Sequence, residues 1–285
     1  MTAPAAADDP TATDATTTDA TTTDITAPAT SAGSTQTHDA PRLGLTALED
    51  DVERVLVVVA HPDDIEYGTA AAVDRWTAAG TTVTYLLATR GEAGIDGIPP
   101  EQAGPLRAQE ERDGAAKVGV EVVEFLDLPD GTVEYGMPLR RAIAREIRRR
   151  RPDLVVTMSF EVFFAGGMAN QADHRAVGLA TLDAVRDAAN RWIFRELAEQ
   201  EGLAPWGGVR AVLLAAANEP THYVDVTGHL DAAIASLEAH EQYNVHLPDD
   251  FPKPAQLVTS ILTGGAQLAA AEGVEHAVAF RLLGA

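Results

Sequence analysis

The sequence predicts an α/β fold in which a doubly wound, mainly parallel sheet carries helices on both faces. From residue 54 onward, short β-branched segments alternate with longer segments of helical periodicity. This alternation is typical of parallel strands joined by right-handed crossovers. The first apolar segment, residues 55–60, contains only Val, Leu and Ala, as expected for a strand that is buried on both faces. We therefore expect a Rossmann-like domain organised around this strand.

The first part of the chain has a different composition. Residues 1–46 are mostly Thr, Ala, Asp, Pro and Ser, with the sequence ATTTD repeated at 15–19 and 20–24. So few apolar side chains cannot offset the conformational entropy that is lost on folding. We therefore predict a disordered tail over 1–46 and one domain over 47–285, which is long enough to bury a sizeable core.

The first half of the domain alternates strands and helices. Residues 55–60 form the first predicted strand, and residues 66–79 form a helix that Gly80 ends as a left-handed C-cap. Residues 81–88 are β-branched and apolar, which predicts the second strand. Residues 89–103 contain repeated Gly and Pro, which indicates a loop at the carboxyl end of that strand.

The same alternation continues to the carboxyl terminus. The middle of the chain predicts a helix over 105–118, a strand over 121–126, a turn over 127–131, a helix over 138–151 and a strand over 153–157. A long loop then leads to a helix that begins near Asp173. The last part predicts a strand over 209–217, an edge strand over 222–226, a helix over 229–243 and a final strand over 277–283.

Composition excludes several classes of function. The chain has no Cys, so disulfides, thiolate metal ligands and thiol nucleophiles are excluded. The 43 acidic and 21 basic residues give a net charge of −22, which disfavours nucleic acid as a partner. No apolar run approaches the roughly 20 residues that span a bilayer, and the amino terminus lacks the pattern of a signal peptide. We therefore expect a cytoplasmic protein without a membrane span.

The first candidate site residues follow the first predicted strand directly. His61, Asp63 and Asp64 come at its carboxyl end, and Pro62 stiffens the turn between them. Open parallel sheets bind their ligands at this edge. His and Asp are also ligands that hold a divalent metal, and a second carboxylate can accept a proton.

A second pair, Asp173 and His174, lies at the start of the helix that follows the fourth predicted strand. In a doubly wound sheet the loops after the first and fourth strands meet at one crevice. His61, Asp64 and His174 could then bind one catalytic zinc ion. Asp63 would take a proton from water, and Asp173 would orient a ligand.

Other interpretations of these residues stay open. An Asp after a strand is commonly a helix N-cap, and a single His near a helix start is commonly a surface residue. Two His and one carboxylate also suit non-haem Fe²⁺. A dinucleotide is disfavoured, because no GxGxxG follows the first strand and the carboxylates would repel a pyrophosphate.

Several further motifs appear in a characteristic order. They are AHPDD at 60–64, TRGEAG at 89–94, RAQE at 107–110, VGV at 118–120, FLDLPDG at 125–131, RPDLV at 151–155, ADH at 172–174, VDVT at 224–227 and LEAH at 237–240. Together they resemble the GlcNAc-phosphatidylinositol de-N-acetylase superfamily, also called PIG-L or LmbE-like. The resemblance covers residues 54–243.

The resemblance implies an activity and a site. Such proteins hydrolyse N-acetyl groups, or related N-acyl groups, of small glucosamine conjugates. They bind zinc at the positions of His61, Asp64 and His174 and have a general base at the position of Asp63. Arg107 and Asp130 match positions that contact substrate hydroxyls. Each also has a structural alternative, because Arg107 could pair with a nearby Glu and Asp130 precedes Gly131 in a turn.

This chain also departs from the family pattern. Gln171 and Ala172 replace the first His and the Pro of a later HPDH motif. Gln171 can donate a hydrogen bond to a developing oxyanion, but it cannot transfer a proton to the leaving amine. The alternative function is therefore a protein that retains the metal and binds a glycan or thiol conjugate without efficient turnover. The sequence leaves open whether the chain forms a homo-oligomer.

Overall fold

The computed structural model describes residues 44–285. The strands are β1 (Thr46–Ala47), β2 (Arg54–Val59), β3 (Thr82–Leu87), β4 (Val122–Phe125), β5 (Leu154–Met158), β6 (Ala211–Ala215), β7 (His222–Asp225) and β8 (Ala277–Gly284). The helices are α1 (Ala70–Ala78), α2 (Pro100–Lys117), α3 (Met137–Arg150), α4 (Ala172–Ala189), α5 (Arg195–Glu199), α6 (Leu230–Glu238), α7 (Glu241–His246) and α8 (Pro254–Ala269).

The strands form one sheet in the order β1-β7-β8-β6-β5-β2-β3-β4. Strand β2 lies between β3 and β5 and is parallel to both. Only β8 runs against its neighbours, since it pairs antiparallel with β6 and β7. The predicted doubly wound, mainly parallel sheet is confirmed.

Alternate side chains of β2 face two separate cores. Val55, Val57 and Val59 pack on one face with side chains of α1, α6 and α8. Leu56 and Val58 pack on the opposite face with side chains of α3 and α4. A strand that is covered on both faces needs an uninterrupted apolar run, and this is what residues 55–60 supply.

The predicted start of the first helix is wrong by four residues. Helix α1 begins at Ala70 rather than at Glu66, and turns occupy residues 62–69. The carbonyl of Ile65 accepts hydrogen bonds from the N–H groups of Thr69 and Ala70 at 2.7 and 3.0 Å. Asp63 has a φ of 87°, which no α-helix contains. The hydrogen bond from Ala70 to Ile65 then spans five residues instead of the four of an α-helix, so the regular helix begins only at Ala70.

The second helix begins earlier than predicted, at Pro100 instead of Pro105. Proline normally disfavours helical backbone in the residue before it, because its ring meets the Cβ of that residue. Here the preceding residue is Gly104, which has no Cβ. Pro105 is therefore accommodated inside α2.

The predicted helix over 229–243 is two helices, α6 and α7, which are separated at His240. His240 has a φ of −80° and a ψ of 54° and is completely buried. The helix is interrupted at a residue whose imidazole packs in the protein interior. The amphipathic pattern of residues 229–243 did not predict a buried imidazole at this position.

The predicted edge strand, β7, is not at the edge of the sheet. The two-residue strand β1 pairs with it through Thr46 and Ala47, and Leu45 is buried. A strand of two residues has no periodicity that sequence analysis could detect. Residues 1–43 of the predicted tail lie outside the described part of the chain, so the tail itself stays a prediction.

No helix within residues 44–285 combines the length and the apolar composition that crossing a membrane requires.

Candidate metal centre and active site

The candidate site lies where β2 and β5 end. These strands are neighbours in the sheet, and their parallel register pairs Val58 with Thr157. His61 follows β2 by two residues, and His174 lies in the first turn of α4, the helix after β5. The chain leaves β2 toward β3 on one side and returns through β5 on the other, so the two loops open a crevice between them.

The structure brings together the three predicted metal ligands. Asp64 Oδ1 lies 3.1 Å from His174 Nε2, and Asp64 Oδ2 lies 3.6 Å from His61 Nδ1. The ligand atoms of all three residues lie within 4.8 Å of one another. His174 Nε2 is buried and has no hydrogen-bond partner, because its contact with Asp64 Oδ1 lacks the geometry of a hydrogen bond. Two imidazoles and a carboxylate with this spacing fit a divalent cation and leave a coordination position free.

The far side of each imidazole is held by another side chain. His61 Nε2 lies 3.1 Å from Asp130 Oδ1 and 3.3 Å from Asp173 Oδ2. His174 Nδ1 lies 3.0 Å from Asn170 Oδ1. These contacts leave His61 Nδ1 and His174 Nε2 facing Asp64, which is the arrangement that outer contacts impose on metal-binding imidazoles.

Asp173 also fixes the turn after β4. Its carboxylate accepts hydrogen bonds from the N–H groups of Gly131 and Val133 at 2.8 and 3.1 Å. Asp130, in the same turn, accepts one from the N–H of Ala93 at 2.8 Å. His61, Asp130 and Asp173 thus form a second group with ligand spacing, but the Asp173 oxygens already accept from the backbone.

Asp63 does not join the ligand group, because its left-handed backbone turns it toward Arg107. The Arg107 guanidinium lies 3.3 Å from Asp63 Oδ2 and donates to the carbonyls of Pro62 and Gly91 at 2.7 and 3.0 Å. A Cβ at Gly91 would lie 2.2 Å from this guanidinium, so only glycine permits the approach. The substrate contact of Arg107 stays a prediction.

Burial and the charges of the site shift the pKa values of several groups, among them His61 and Asp63. Burial acts to lower the pKa of His61, but the surrounding carboxylates of Asp130 and Asp173 outweigh it and raise this pKa to about 12. A cation that binds His61 must therefore displace a proton. Burial raises the pKa of Asp63 to about 6, and the positive charge of Arg107 opposes a further rise.

Gln171 is the exposed N-cap residue of α4, with a φ of −64° and a ψ of 151°. It precedes His174 by three residues and ends the loop 159–171. The ring of Phe164 from this loop lies 6.5 Å from the His174 ring. The predicted contact of Gln171 with an oxyanion is not tested by this geometry and stays a prediction.

Sequence analysis missed three residues that contact the site. Asn170 supports His174, Glu111 accepts a hydrogen bond from the Asp63 N–H at 3.2 Å, and the Tyr243 ring lies 4.0 Å from the Arg107 guanidinium. Tyr243 belongs to α7, far along the chain from the other site residues. Neither periodicity nor a motif marks these positions, because their partners are brought near only by the fold.

A cavity of about 430 Å³ lies at the opposite end of α4. Its lining contains no carboxylate side chain and no imidazole, and consists of Val185, Arg186, Ala189, Asn190, Trp206, Gly207, Val209 and Ala285. This cavity is therefore separate from the chemistry at the amino-terminal end of the helix.

Comparison with known proteins gives a consistent result. The profile of the family PIG-L, GlcNAc-PI de-N-acetylase, matches residues 56–185. The diacetylchitobiose deacetylase of Thermococcus kodakarensis is 29% identical over 203 residues, which is 70% of this chain and 73% of that protein. The 1D-myo-inositol 2-acetamido-2-deoxy-alpha-D-glucopyranoside deacetylase of Kineococcus radiotolerans is 33% identical, over 69% of this chain and 71% of that protein.

A solved structure has the same fold. The N,N'-diacetylchitobiose deacetylase from Pyrococcus horikoshii, in complex with its inhibitor MPG, superposes with a TM-score of 0.71. The superposition covers 82% of this chain and 85% of that chain, at 22% sequence identity.

Proposed function

Because the chain belongs to the PIG-L family of GlcNAc-PI de-N-acetylases and is a hydrolytic N-deacetylase, we propose that it uses a zinc ion and acts on a small glucosamine conjugate. The observation that carries this proposal is the buried group of His61, Asp64 and His174, in which one imidazole nitrogen has no hydrogen bond. A buried polar atom without a partner favours the binding of a ligand at that point.

His61, Asp64 and His174 would hold the cation, and Asp130, Asp173 and Asn170 would keep the two imidazoles oriented. A bound zinc ion would polarise the amide carbonyl and make a water molecule more acidic. The same ligands would also accept Fe²⁺, so metal content has to be measured along with activity.

Asp63 is the proposed general base. With a pKa of about 6, its carboxylate is ionised at neutral pH and is still basic enough to accept a proton from water. The Arg107 guanidinium at 3.3 Å keeps it from becoming a stronger base. Asp63 would then return the proton to the leaving amine, because Gln171 has no proton to transfer.

Gln171 would donate a hydrogen bond from its side-chain amide to the carbonyl oxygen as negative charge develops there. Its position at the start of α4 supports this role, because helix N-termini favour negative charge. Its exposure supports the role as well, since the amide can turn toward a bound substrate without displacing packed side chains.

The substrate class follows from what the named relatives share. Both are deacetylases whose substrates carry an acetylated amino sugar, and we infer the same class for this chain. The loops 90–99 and 160–170 flank the crevice and would shape the rest of the substrate site. Val162, Phe163 and Met168 are exposed in the second loop, which would suit a substrate with an apolar portion. Arg107 and Asp130 would contact sugar hydroxyls, or would position the backbone groups that do so.

The test is release of a free amine. The metal-loaded protein is incubated with N-acetylglucosaminyl-inositol, with diacetylchitobiose and with N-acetylglucosamine. Free amine and acetate are quantified, and hydrolysis should release them in equal amounts. Activity is expected on at least one substrate, to be lost with a chelator and restored by Zn²⁺. Equal rates for wild type and His174→Ala would contradict the proposed metal site.

A protein that binds such conjugates without turnover is not favoured, since the named relatives are deacetylases. A cytoplasmic location stays a prediction, to be checked by fractionation. Light scattering would show whether the chain forms a homo-oligomer.

A further inference from the structure

Another group of ionisable side chains, separate from those of the candidate site, lies completely buried next to it. Glu66 belongs to the turn after β2, Glu111 belongs to α2, and His240 lies at the break between α6 and α7. At most 1% of each of these residues is exposed. His240 Nε2 lies 3.7 Å from Glu66 Oε2 and 3.8 Å from Glu111 Oε2.

These distances are too long for hydrogen bonds. Both ring nitrogens of His240, Glu66 Oε2 and Glu111 Oε1 are buried and have no hydrogen-bond partner. The hydroxyl of Tyr85 also has no hydrogen-bond partner. Burial, and then the charges of Glu66 and Glu111, raise the pKa of this hydroxyl. Leaving such groups unpaired in a protein interior is unfavourable, so a group that binds between them would stabilise the cluster.

We propose that Glu66, Glu111 and His240 form a second, buried binding site for a divalent cation of the zinc or manganese type. Carboxylates and imidazole are the ligands that these ions accept. Ligand atoms that surround one ion at about 2.1 Å lie roughly 3–4 Å apart, and the two distances to His240 Nε2 fall in this range. A dication also offsets the two negative charges that would otherwise be buried together.

The three side chains have neighbours of the kind that orient the ligands of a metal site. Ser236 Oγ donates to Glu66 Oε1 at 2.9 Å, and the N–H of Asp63 donates to Glu111 Oε2 at 3.2 Å. Gly114 leaves room for the group, because a Cβ at that position would lie 3.3 Å from both Glu66 Oε1 and His240 Nε2.

Shared protons are the competing explanation. Burial raises the pKa of Glu111 well above its usual range, and contact with Glu66 outweighs burial and raises that of His240 to about 9. A protonated Glu111 and a charged His240 would reduce the buried negative charge. They would still leave His240 Nε2 without a hydrogen-bond partner at the observed separations, whereas a cation coordinates this nitrogen and both carboxylates at once.

The buried cation would act on the reaction only through the backbone. Glu111 holds the N–H of Asp63, whose φ of 87° is unfavourable for any residue with a side chain. A cation that fixes Glu111 therefore helps to hold the Asp63 peptide in place. This makes Glu111 a positioning residue and distinguishes the second site from the site of His61, Asp64 and His174.

The experiment counts bound cations. The full-length protein, with any affinity tag removed, is stripped of metal, loaded with Zn²⁺ and freed of excess, and zinc per chain is measured by mass spectrometry. We expect two ions in wild type, one in Glu111→Gln and one in His174→Ala. Glu110→Gln is the matched control, because Glu110 is buried on the same helix but binds only the N–H of Gln242, and it should retain two.

A folded Glu111→Gln protein that binds as much zinc as wild type would overturn the inference. If His174→Ala alone binds as much as wild type, the proposed active-site metal fails while the buried site stands. If Glu111→Gln does not fold, anomalous diffraction at the zinc edge from wild-type crystals decides the question. A peak among Glu66, Glu111 and His240 supports the site, and its absence in zinc-loaded crystals rejects it.

Discussion

The guanidinium of Arg107 lies 3.3 Å from the carboxylate of Asp63, and both side chains are almost completely buried. The same guanidinium donates to the carbonyl of Pro62, so it holds both the charge and the backbone of the proposed general base. Pairing a buried carboxylate with a guanidinium that also fixes its peptide keeps the carboxylate ionised and in one orientation.

Removing this guanidinium should weaken catalysis without removing the metal. We expect Arg107→Gln to lower kcat/KM by roughly 10²-fold, because small displacements of a catalytic group have effects of this size. Since the positive charge lowers the pKa of Asp63, the acid side of the pH–rate profile should also move to higher pH. Arg112→Ala, which removes an exposed guanidinium from the same helix, should change neither. If the acid side of the profile is unchanged in a folded Arg107→Gln protein, Arg107 does not control the pKa of Asp63.

The wild-type rate should depend on the ionisation of Asp63. Its pKa is raised to about 6, chiefly by burial, so below that pH the carboxyl is protonated and cannot accept a proton. We expect kcat/KM to rise about tenfold per pH unit below pH 6 and to level off above it. The measurement covers pH 5 to 8, with zinc content confirmed at each pH. A flat profile from pH 5 to 7 would argue against Asp63 as the base.

Asn170 should control metal affinity through His174. Its side-chain oxygen is the acceptor for His174 Nδ1 at 3.0 Å, and loss of such an outer contact typically costs 10- to 100-fold in affinity. We expect Asn170→Ala to raise the Kd for zinc by about this factor, measured by competition with a chromogenic chelator.

Asn170→Asp is the matched control for that measurement. It keeps an acceptor for His174 but loses the two hydrogen bonds that the Asn170 amide donates to the loop carbonyls of Ser159 and Glu161. Zinc affinity close to wild type in this variant, with weaker binding in Asn170→Ala, attributes the effect to the imidazole contact. The reverse order would attribute it to the loop.

The left-handed backbone of Asp63 predicts a difference between two inactive variants. Asp63→Gly and Asp63→Ala both remove the carboxylate, but only Ala retains a Cβ at a φ of 87°. We therefore expect the Gly variant to have the larger free energy of unfolding, by about 1 kcal/mol. Urea denaturation of the two metal-free proteins measures this difference. Equal values would show that the turn relaxes when the side chain is shortened.

Gln171 should affect turnover but not folding. Loss of one donor to an oxyanion typically costs 10²–10³ in kcat, and we expect Gln171→Ala to lie near the lower end because the residue is exposed. Gln171→Glu should be slower still, since its charge repels the developing oxyanion. Tm and zinc content should match wild type in both variants. A Gln171→Ala enzyme with full kcat would remove this side chain from the reaction.

Much of the fold could be predicted because its signals are local. The apolar run before His61 identified the central strand, and Gly80 ended the helix that it was predicted to end, with a φ of 93°. The errors arose where a local rule met a compensating neighbour. Gly104 allows Pro105 to lie inside α2, and the turns over 62–69 move the start of α1 to Ala70.

The sequence by itself determined the alternation of parallel strands and helices, and therefore that the loops that carry His61, Asp64 and His174 would meet at one crevice, because the carboxyl ends of parallel strands share one edge. Only the tertiary structure decided which side chains surround them. Asn170, Glu111, His240 and Tyr243 act through contacts across the fold, and such contacts depend on packing that no local pattern in the chain encodes. The strained peptide of Asp63 belongs to this second group, since Arg107 and Glu111 hold it from another helix.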